Sequence, residues 1–161
     1  MVPIIYDSMM SMNTAPEFTV KNQRGEDVTL SQELKSNKVL LYFYPKDMTP
    51  GCTLEGIGFS QHKSDFEKHD VKVFGVSADS VDKHQKFCEK ESLTIDLLSD
   101  ESKEMLEAYG VWKEKSMFGK KYMGISRETF LIGQDSTIIK HWNTVKPAAH
   151  PKEVLAYIQS L

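Results

Sequence analysis

The residues best suited to chemistry stand together in Pro45-Lys46-Asp47-Met48-Thr49-Pro50-Gly51-Cys52, with Cys52 as the candidate nucleophile. A thiol is reactive only as its thiolate, so its placement decides what it can do. Ahead of it, Val39 to Tyr44 is an unbroken aliphatic and aromatic run, which predicts a strand covered on both faces. Behind it, Pro50 and Gly51 break the strand, and the polar residues from Glu55 to Lys68 predict a partly exposed helix with Cys52 in its first turn. That position is the positive end of the helix dipole, beside N–H groups with no partner inside the helix, and it favours the thiolate. Thr49 stands three residues before Cys52, where a C-x-x-C dithiol would carry its first cysteine. A hydroxyl cannot close a disulfide, but it can hydrogen-bond an oxygen-bearing substrate or the sulfur beside it. Pro45 has no N–H and fixes the strand exit, which suits it to shaping and shielding a pocket. The competing account is a buried, inert cysteine, the commoner fate of this residue type.

The surrounding elements must position that loop. Glu17–Val20 and Asp27–Leu30 flank Lys21-Asn22-Gln23-Arg24-Gly25 and predict an N-terminal hairpin. Val71–Ser77 predicts a second buried strand, parallel to the first across the Cys52 helix. Asp79 and Ser80 can cap a helix from Val81 to about Glu91, followed by a short strand over Thr94–Leu98. Ser99 and Asp100 then suit the start of a helix over Glu101–Tyr109, with Gly110 as its C-terminal glycine. Thr129–Ile132 and Thr137–Trp142 predict a second hairpin across Gly133-Gln134-Asp135-Ser136. Pro151 opens a last helix whose Val154, Leu155 and Ile158 share one face. The order fits an α/β domain with a thioredoxin-like fold, a central mixed sheet flanked by helices, and an added N-terminal hairpin.

Length and charge set the outer bounds. At 161 residues the chain has the size of one domain, and its net charge of -3 offers no global attraction to nucleic acid or an anionic membrane. No segment reaches the roughly 18 apolar residues of a membrane helix. Two cysteines in a chain with this much core suggest redox chemistry rather than a secreted disulfide scaffold. Residues 1–14 lack a basic signal-peptide start, so we expect a flexible tail ahead of a single domain over 15–161 and a cytoplasmic protein.

The motif P-x-x-x-T-x-x-C, here PKDMTPGC, resembles the active-site signature of the peroxiredoxins, and within them the Q-type or bacterioferritin comigratory group. Arg127-Glu128-Thr129-Phe130-Leu131-Ile132 is similar to that family's R-x-T-F-L-I stretch, and Thr53-Leu54-Glu55 to its T-x-E. Tyr109–Trp112 through Lys120–Gly124 is similar to the segment preceding the family's last strands. The resemblance implies a thiol peroxidase without cofactor or metal, in which Cys52 reduces hydrogen peroxide or an organic hydroperoxide and Arg127 points at its sulfur. It also implies Cys88 as the resolving cysteine, thioredoxin or a similar dithiol as reductant, and a monomer. Many Q-type proteins carry a second cysteine five residues after the first, where this chain has Ile57, and Gly133 replaces the usual Asp.

Several alternatives stay open from the residues themselves. Cys88 beside Phe87 is equally suited to a buried helix face, which would leave a one-cysteine peroxidase using an external thiol, or a peroxide-sensing thiol protein without turnover. A thioredoxin-like disulfide reductase is disfavoured by Thr49 and by the absence of proline between Pro50 and Pro147. Glu55 can hold an arginine, but a solvated helix carboxylate serves as well, so it stays outside the catalytic set of Cys52, Thr49, Arg127, Pro45 and Cys88. His84 and Cys88 fall one helical turn apart, yet two ligands do not make a metal site. Lys113, Lys115, Lys120, Lys121 and Arg127 outweigh Glu114 in their segment, which suggests a solvated loop ahead of the alternative, a locally positive rim.

Overall fold

The computed structural model describes residues 13–161, so residues 1–12 of the expected tail lie outside the described residues. Thr14 bridges Thr137, and the Ala15 N–H donates to the Ser136 carbonyl. In chain order the strands are β1 (Thr19–Lys21), β2 (Asp27–Thr29), β3 (Lys38–Phe43), β4 (Val71–Ser77), β5 (Asp96–Ser99), β6 (Trp112–Met117), β7 (Lys120–Ile125), β8 (Glu128–Ile132) and β9 (Ile138–Trp142). The helices are α1 (Leu30–Glu33), α2 (Pro50–Gln61), α3 (Lys63–Lys68), α4 (Val81–Glu91), α5 (Glu104–Ala108) and α6 (His150–Gln159). Seven strands make one mixed sheet in the order β2-β1-β5-β4-β3-β8-β9, with β3, β4 and β5 parallel. The remaining two, β6 and β7, pair with each other as a separate hairpin.

The apolar run of β3 is buried because it lies mid-sheet with packing on both sides. Its Leu40 and Tyr42, with Tyr44 beyond, enter one core cluster with Phe59 of α2, Phe66 of α3, Phe87 of α4 and Val154 of α6. Val39, Leu41 and Phe43 point the other way, to α1, α5 and the N-terminal hairpin. This period-two division places α2 and α4, which carry the two cysteines, on the same face.

Local expectations hold for the predicted N-terminal hairpin, for β4 and α4 at their expected limits, and for Gly110, whose φ of 71° ends the α5 segment. Three differ. The helix expected through Lys68 breaks at His62, separating α2 from α3. The helix expected from Glu101 starts at Glu104, because Asp100 Oδ2 accepts from the Leu106 N–H and Lys103 takes a left-handed φ of 68°. The lysine-rich segment is not a solvated loop: Lys113 and Lys115 lie on β6 and Lys120 and Lys121 on β7. Gly58 in α2 also has a packing reason, since a Cβ there would meet Pro151 Cγ at 2.7 Å.

Gly75 of β4 is the tightest point beneath the site. Tyr42 is its partner in register, and a Cβ on Gly75 would lie 2.7 Å from Tyr42 Cζ and Oη and 2.8 Å from Leu97 Cδ2. Overpacking of this kind costs about 1–3 kcal/mol. Gly75→Ala should therefore lower the urea midpoint without changing the slope of the transition, and an unchanged midpoint would show that Tyr42 can move aside.

Candidate active site

Strand β3 delivers the chain to Tyr44, and a turn containing Met48 at the left-handed φ of 65° leads into α2. Thr49 takes the N-cap position with extended backbone, Pro50 occupies the first turn, and Cys52 follows as expected. The Cys52 side chain is buried, at 1% exposure, against Tyr42, Tyr44 and Phe59. Thr49 does not cap the helix with its side chain. Its hydroxyl donates to the Lys46 carbonyl at 2.9 Å, which leaves its oxygen free to act as an acceptor.

Arg127, in the two-residue link between β7 and β8, reaches across to α2. Its Nη2 donates to Cys52 Sγ at 3.4 Å, and its Nη1 donates to Glu55 Oε1 at 2.7 Å. Gly51 makes room for this approach, because a Cβ there would lie 3.3 Å from Arg127 Nη2. The adjoining Glu128 anchors the link, accepting from Lys113 Nζ and pairing with His141 Nε2, both at 2.7 Å. Burial works against the guanidinium charge, but Glu55 and Cys52 outweigh it and hold the Arg127 pKa above its ordinary value.

Glu55 is the residue that sequence reasoning undervalued. It is fully buried rather than solvated, and its Oε2 has no hydrogen-bond partner among the described residues. Burial pushes its carboxyl up to about 7, against the opposing pull of Arg127. The T-x-E stretch was the available signal, but only the tertiary contact with Arg127 gives it meaning.

Pro45 is half-buried and lines a groove with Trp112, Lys115, Tyr122, Met123 and Ile125, so the β6–β7 hairpin forms one wall beside the Cys52 loop. Lys115 donates to the Ile125 carbonyl. Its pKa is lowered by burial and by Arg127, while Cys52 pulls the other way. The structure thus brings Cys52, Arg127 and Glu55 into contact, with Thr49 and Pro45 at the loop ends. Cys88 stands apart on α4, half-buried in the same aromatic cluster, and both cysteines are free. Burial, then the charge of Asp47, pushes the Cys88 thiol up to about 12. His84 is wholly buried, with Nδ1 on Asp47 Oδ2 at 2.6 Å and Nε2 on the Leu98 carbonyl at 2.9 Å.

A thioredoxin-like sheet presenting one buried cysteine in the first turn of a helix, under an arginine anchored by a carboxylate, defines a thiol peroxidase of the peroxiredoxin class. Comparison with known proteins agrees: the chain belongs to the AhpC/TSA family, whose model matches residues 12–141. It is 46% identical over 147 residues to Peroxiredoxin Bcp of Bacillus subtilis (strain 168), covering 91% of this chain and 93% of that protein. It is 42% identical over 145 residues to Peroxiredoxin Bcp of Escherichia coli (strain K12), covering 90% and 92%. The solved structure of the Xanthomonas campestris bacterioferritin comigratory protein, which has alkyl peroxide reduction activity, superposes with a TM-score of 0.84 at 37% identity, covering 89% of this chain and 90% of that one. Among the described residues, no helix is long and apolar enough to cross a membrane.

The raised Glu55 value carries a sign. The unfolded carboxyl ionises near 4.5 and the folded one near 7, so between these values the folded state binds the extra proton. The contribution of Glu55 is therefore complete below about pH 4.5 and is lost as pH rises through about 7. Urea unfolding across that window should show a fall of at most about 3 kcal/mol from this group, missing in Glu55→Gln. Parallel pH profiles for parent and variant would contradict the assignment.

Proposed function

We propose that this peroxiredoxin reduces hydrogen peroxide and organic hydroperoxides with Cys52 as its peroxidatic residue. The observation that carries the reading is the single guanidinium of Arg127 shared between Cys52 Sγ and Glu55. The sulfur attacks the terminal peroxide oxygen and the O–O bond breaks; the leaving oxygen takes the peroxide's own proton and departs as water or an alcohol, and the resulting sulfenate is protonated from solvent to the sulfenic acid. Arg127 steadies the thiolate and the charge developing on the leaving oxygen. The Thr49 oxygen, its own proton engaged by Lys46, accepts the O–H of the bound peroxide, and Pro45 shields the loop. No metal or organic cofactor enters these steps.

Cys88 then resolves the intermediate. Its sulfur forms the S–S bond with Cys52 as the S–O bond breaks, and the departing oxygen leaves as water with the Cys88 proton. Thioredoxin or a similar dithiol reduces the disulfide and restores both thiols. In the folded state the Cys88 thiol is protonated and half-buried, so this step follows local unwinding of α2 and α4. The enzyme works in this reading as a cytoplasmic monomer. The same burial of Cys88 favours one rival, a one-cysteine peroxidase resolved by an external thiol.

Cys52→Ser should abolish turnover while the fold persists, because the serine hydroxyl is not ionised at neutral pH. Arg127→Ala should slow peroxide oxidation of Cys52 by about 10²–10³-fold, the loss typical of one oxyanion donor, and should also slow its neutral-pH alkylation. Stopped-flow oxidation and iodoacetamide trapping measure these, and unaltered rates in Arg127→Ala would remove the arginine from the mechanism. Cys88→Ser should keep the first oxidation but lose thioredoxin-dependent turnover and accumulate sulfinic acid. Full turnover in Cys88→Ser would establish the one-cysteine rival.

A further inference from the structure

A buried polar cluster outside the peroxide site ties together the two segments that carry the cysteines. Asp47 lies on the loop leading to Cys52, and His84 lies on α4 one turn before Cys88. Both side chains are fully enclosed. Asp47 Oδ1 accepts from the Tyr44 hydroxyl at 2.6 Å, its Oδ2 meets His84 Nδ1 at 2.6 Å, and its N–H donates to Asp79 Oδ2 at 2.8 Å. Asp79 Oδ2 also accepts from the Ser77 hydroxyl, Asp79 Oδ1 pairs with Lys83, and the Asp79 carbonyl accepts from the Ser99 hydroxyl. The ligand atoms of Asp47, Asp79 and His84 lie within 4.8 Å of one another, a spacing that would suit a metal. Both ring nitrogens of His84 nevertheless face oxygen acceptors, Asp47 and the Leu98 carbonyl, which leaves no lone pair directed at an ion. The Nδ1–Oδ2 hydrogen bond joins the two segments.

Beyond this joint α4 is less tightly held. Between His84 and Ser92, Phe87 is the one fully buried side chain, while Gln85, Lys86, Glu89 and Lys90 are exposed. The helix ends at Ser92 in a left-handed turn, and Thr94 ties the chain to Ser60. Cys88 therefore sits in the middle of a stretch fastened at both ends.

Building on the resolving role proposed for Cys88, we infer that the Asp47–His84 pair is an anchor that persists while both cysteine-bearing segments unwind, and so positions the sulfurs for disulfide formation. Cys52 stands five positions after Asp47, and Cys88 four positions after His84. Extended at about 3.4 Å per residue, these reach roughly 17 and 14 Å, enough to bring the two Cα atoms within the ~7 Å a disulfide needs while the anchor stays closed. The anchor closes a nine-residue loop, whereas the chain between the cysteines spans 36 positions. With loop closure scaling as the three-halves power of length, the encounter gains up to about eightfold. Asp47 and His84 act as positioning residues, since neither meets the peroxide or the reacting sulfurs.

Rapid-quench mass spectrometry after one equivalent of peroxide tests this in the parent, His84→Gln and His84→Asn. The glutamine retains a donor toward Leu98 but leaves Asp47, whereas the asparagine places its amide N–H where Nδ1 stood. His84→Gln should slow disulfide formation by up to about eightfold and raise the sulfinic acid share at excess peroxide, with the first oxidation of Cys52 within about twofold of the parent. His84→Asn should recover most of the disulfide rate. A disulfide rate in His84→Gln equal to or above that of the parent overturns the anchor. Amide exchange on the unaltered protein gives a second test that needs no variant to fold. In the disulfide form, the amides of Asp47, Lys83 and His84 should stay protected while residues 85–92 exchange faster. Loss of protection at Lys83 and His84 in that form overturns the anchor alone. If the parent forms no disulfide, the resolving role of Cys88 falls, and the anchor with it.

Discussion

One permanent cation, Arg127, serves two groups that each gain charge by losing a proton, in a space nearly closed to water. Cys52 and Glu55 are 1% and 0% exposed, and the guanidinium fork spans them with one nitrogen each. A carboxylate buried with one oxygen unpartnered is expensive unless a cation stands beside it, and a permanently charged, largely covered cation is stabilised by an anion in turn. Glu55 and Arg127 are therefore coupled, and a change in the charge of one is felt by the other. The features that place Arg127, the Gly51 clearance and the Glu128 anchor to Lys113 and His141, follow from that mutual need.

The sheet decides where the second cysteine stands. Because β3 alternates its side chains, Tyr42 and Tyr44 face the layer that holds α2 and α4, and both cysteines pack against one aromatic cluster. The Tyr42 hydroxyl feels this arrangement: burial raises its pKa well above the ordinary value, and the charges of Glu55, Cys88 and Cys52 add to it. The same packing keeps the Cys88 thiol protonated. In the proposed cycle, the peroxide-reactive and disulfide-forming conformations would make opposite demands on α4, which ties that cycle to the few residues that hold the helix down.

Much of the fold was legible in the sequence, because its signals are local. The apolar runs of β3 and β4, the Pro50-Gly51 break that sets Cys52 in a first turn, the Ser80 cap of α4 and Gly110 after α5 each act within a few residues. The β6–β7 hairpin was missed for the same reason: its exposed residues alternate weakly and carry four lysines, so its composition resembles that of a solvated loop. The late start of α5 depends on Asp100 binding a backbone amide six residues on, a bond that no capping pattern announces.

By itself the sequence determined the strand-to-helix turn, the position of Cys52 at the head of α2 and, through motif resemblance, the choice of Arg127, because a first-turn thiol and a strand-edge arginine are set by nearest neighbours. Tertiary structure alone decided the burial of Glu55 and the Asp47–His84 joint. The ion pair of Glu55 with Arg127 bridges 72 positions, and the bond of His84 to Asp47 bridges 37. A charged residue on a helix is solvated unless a distant part of the chain meets it, and that meeting is fixed only when the whole sheet closes around it.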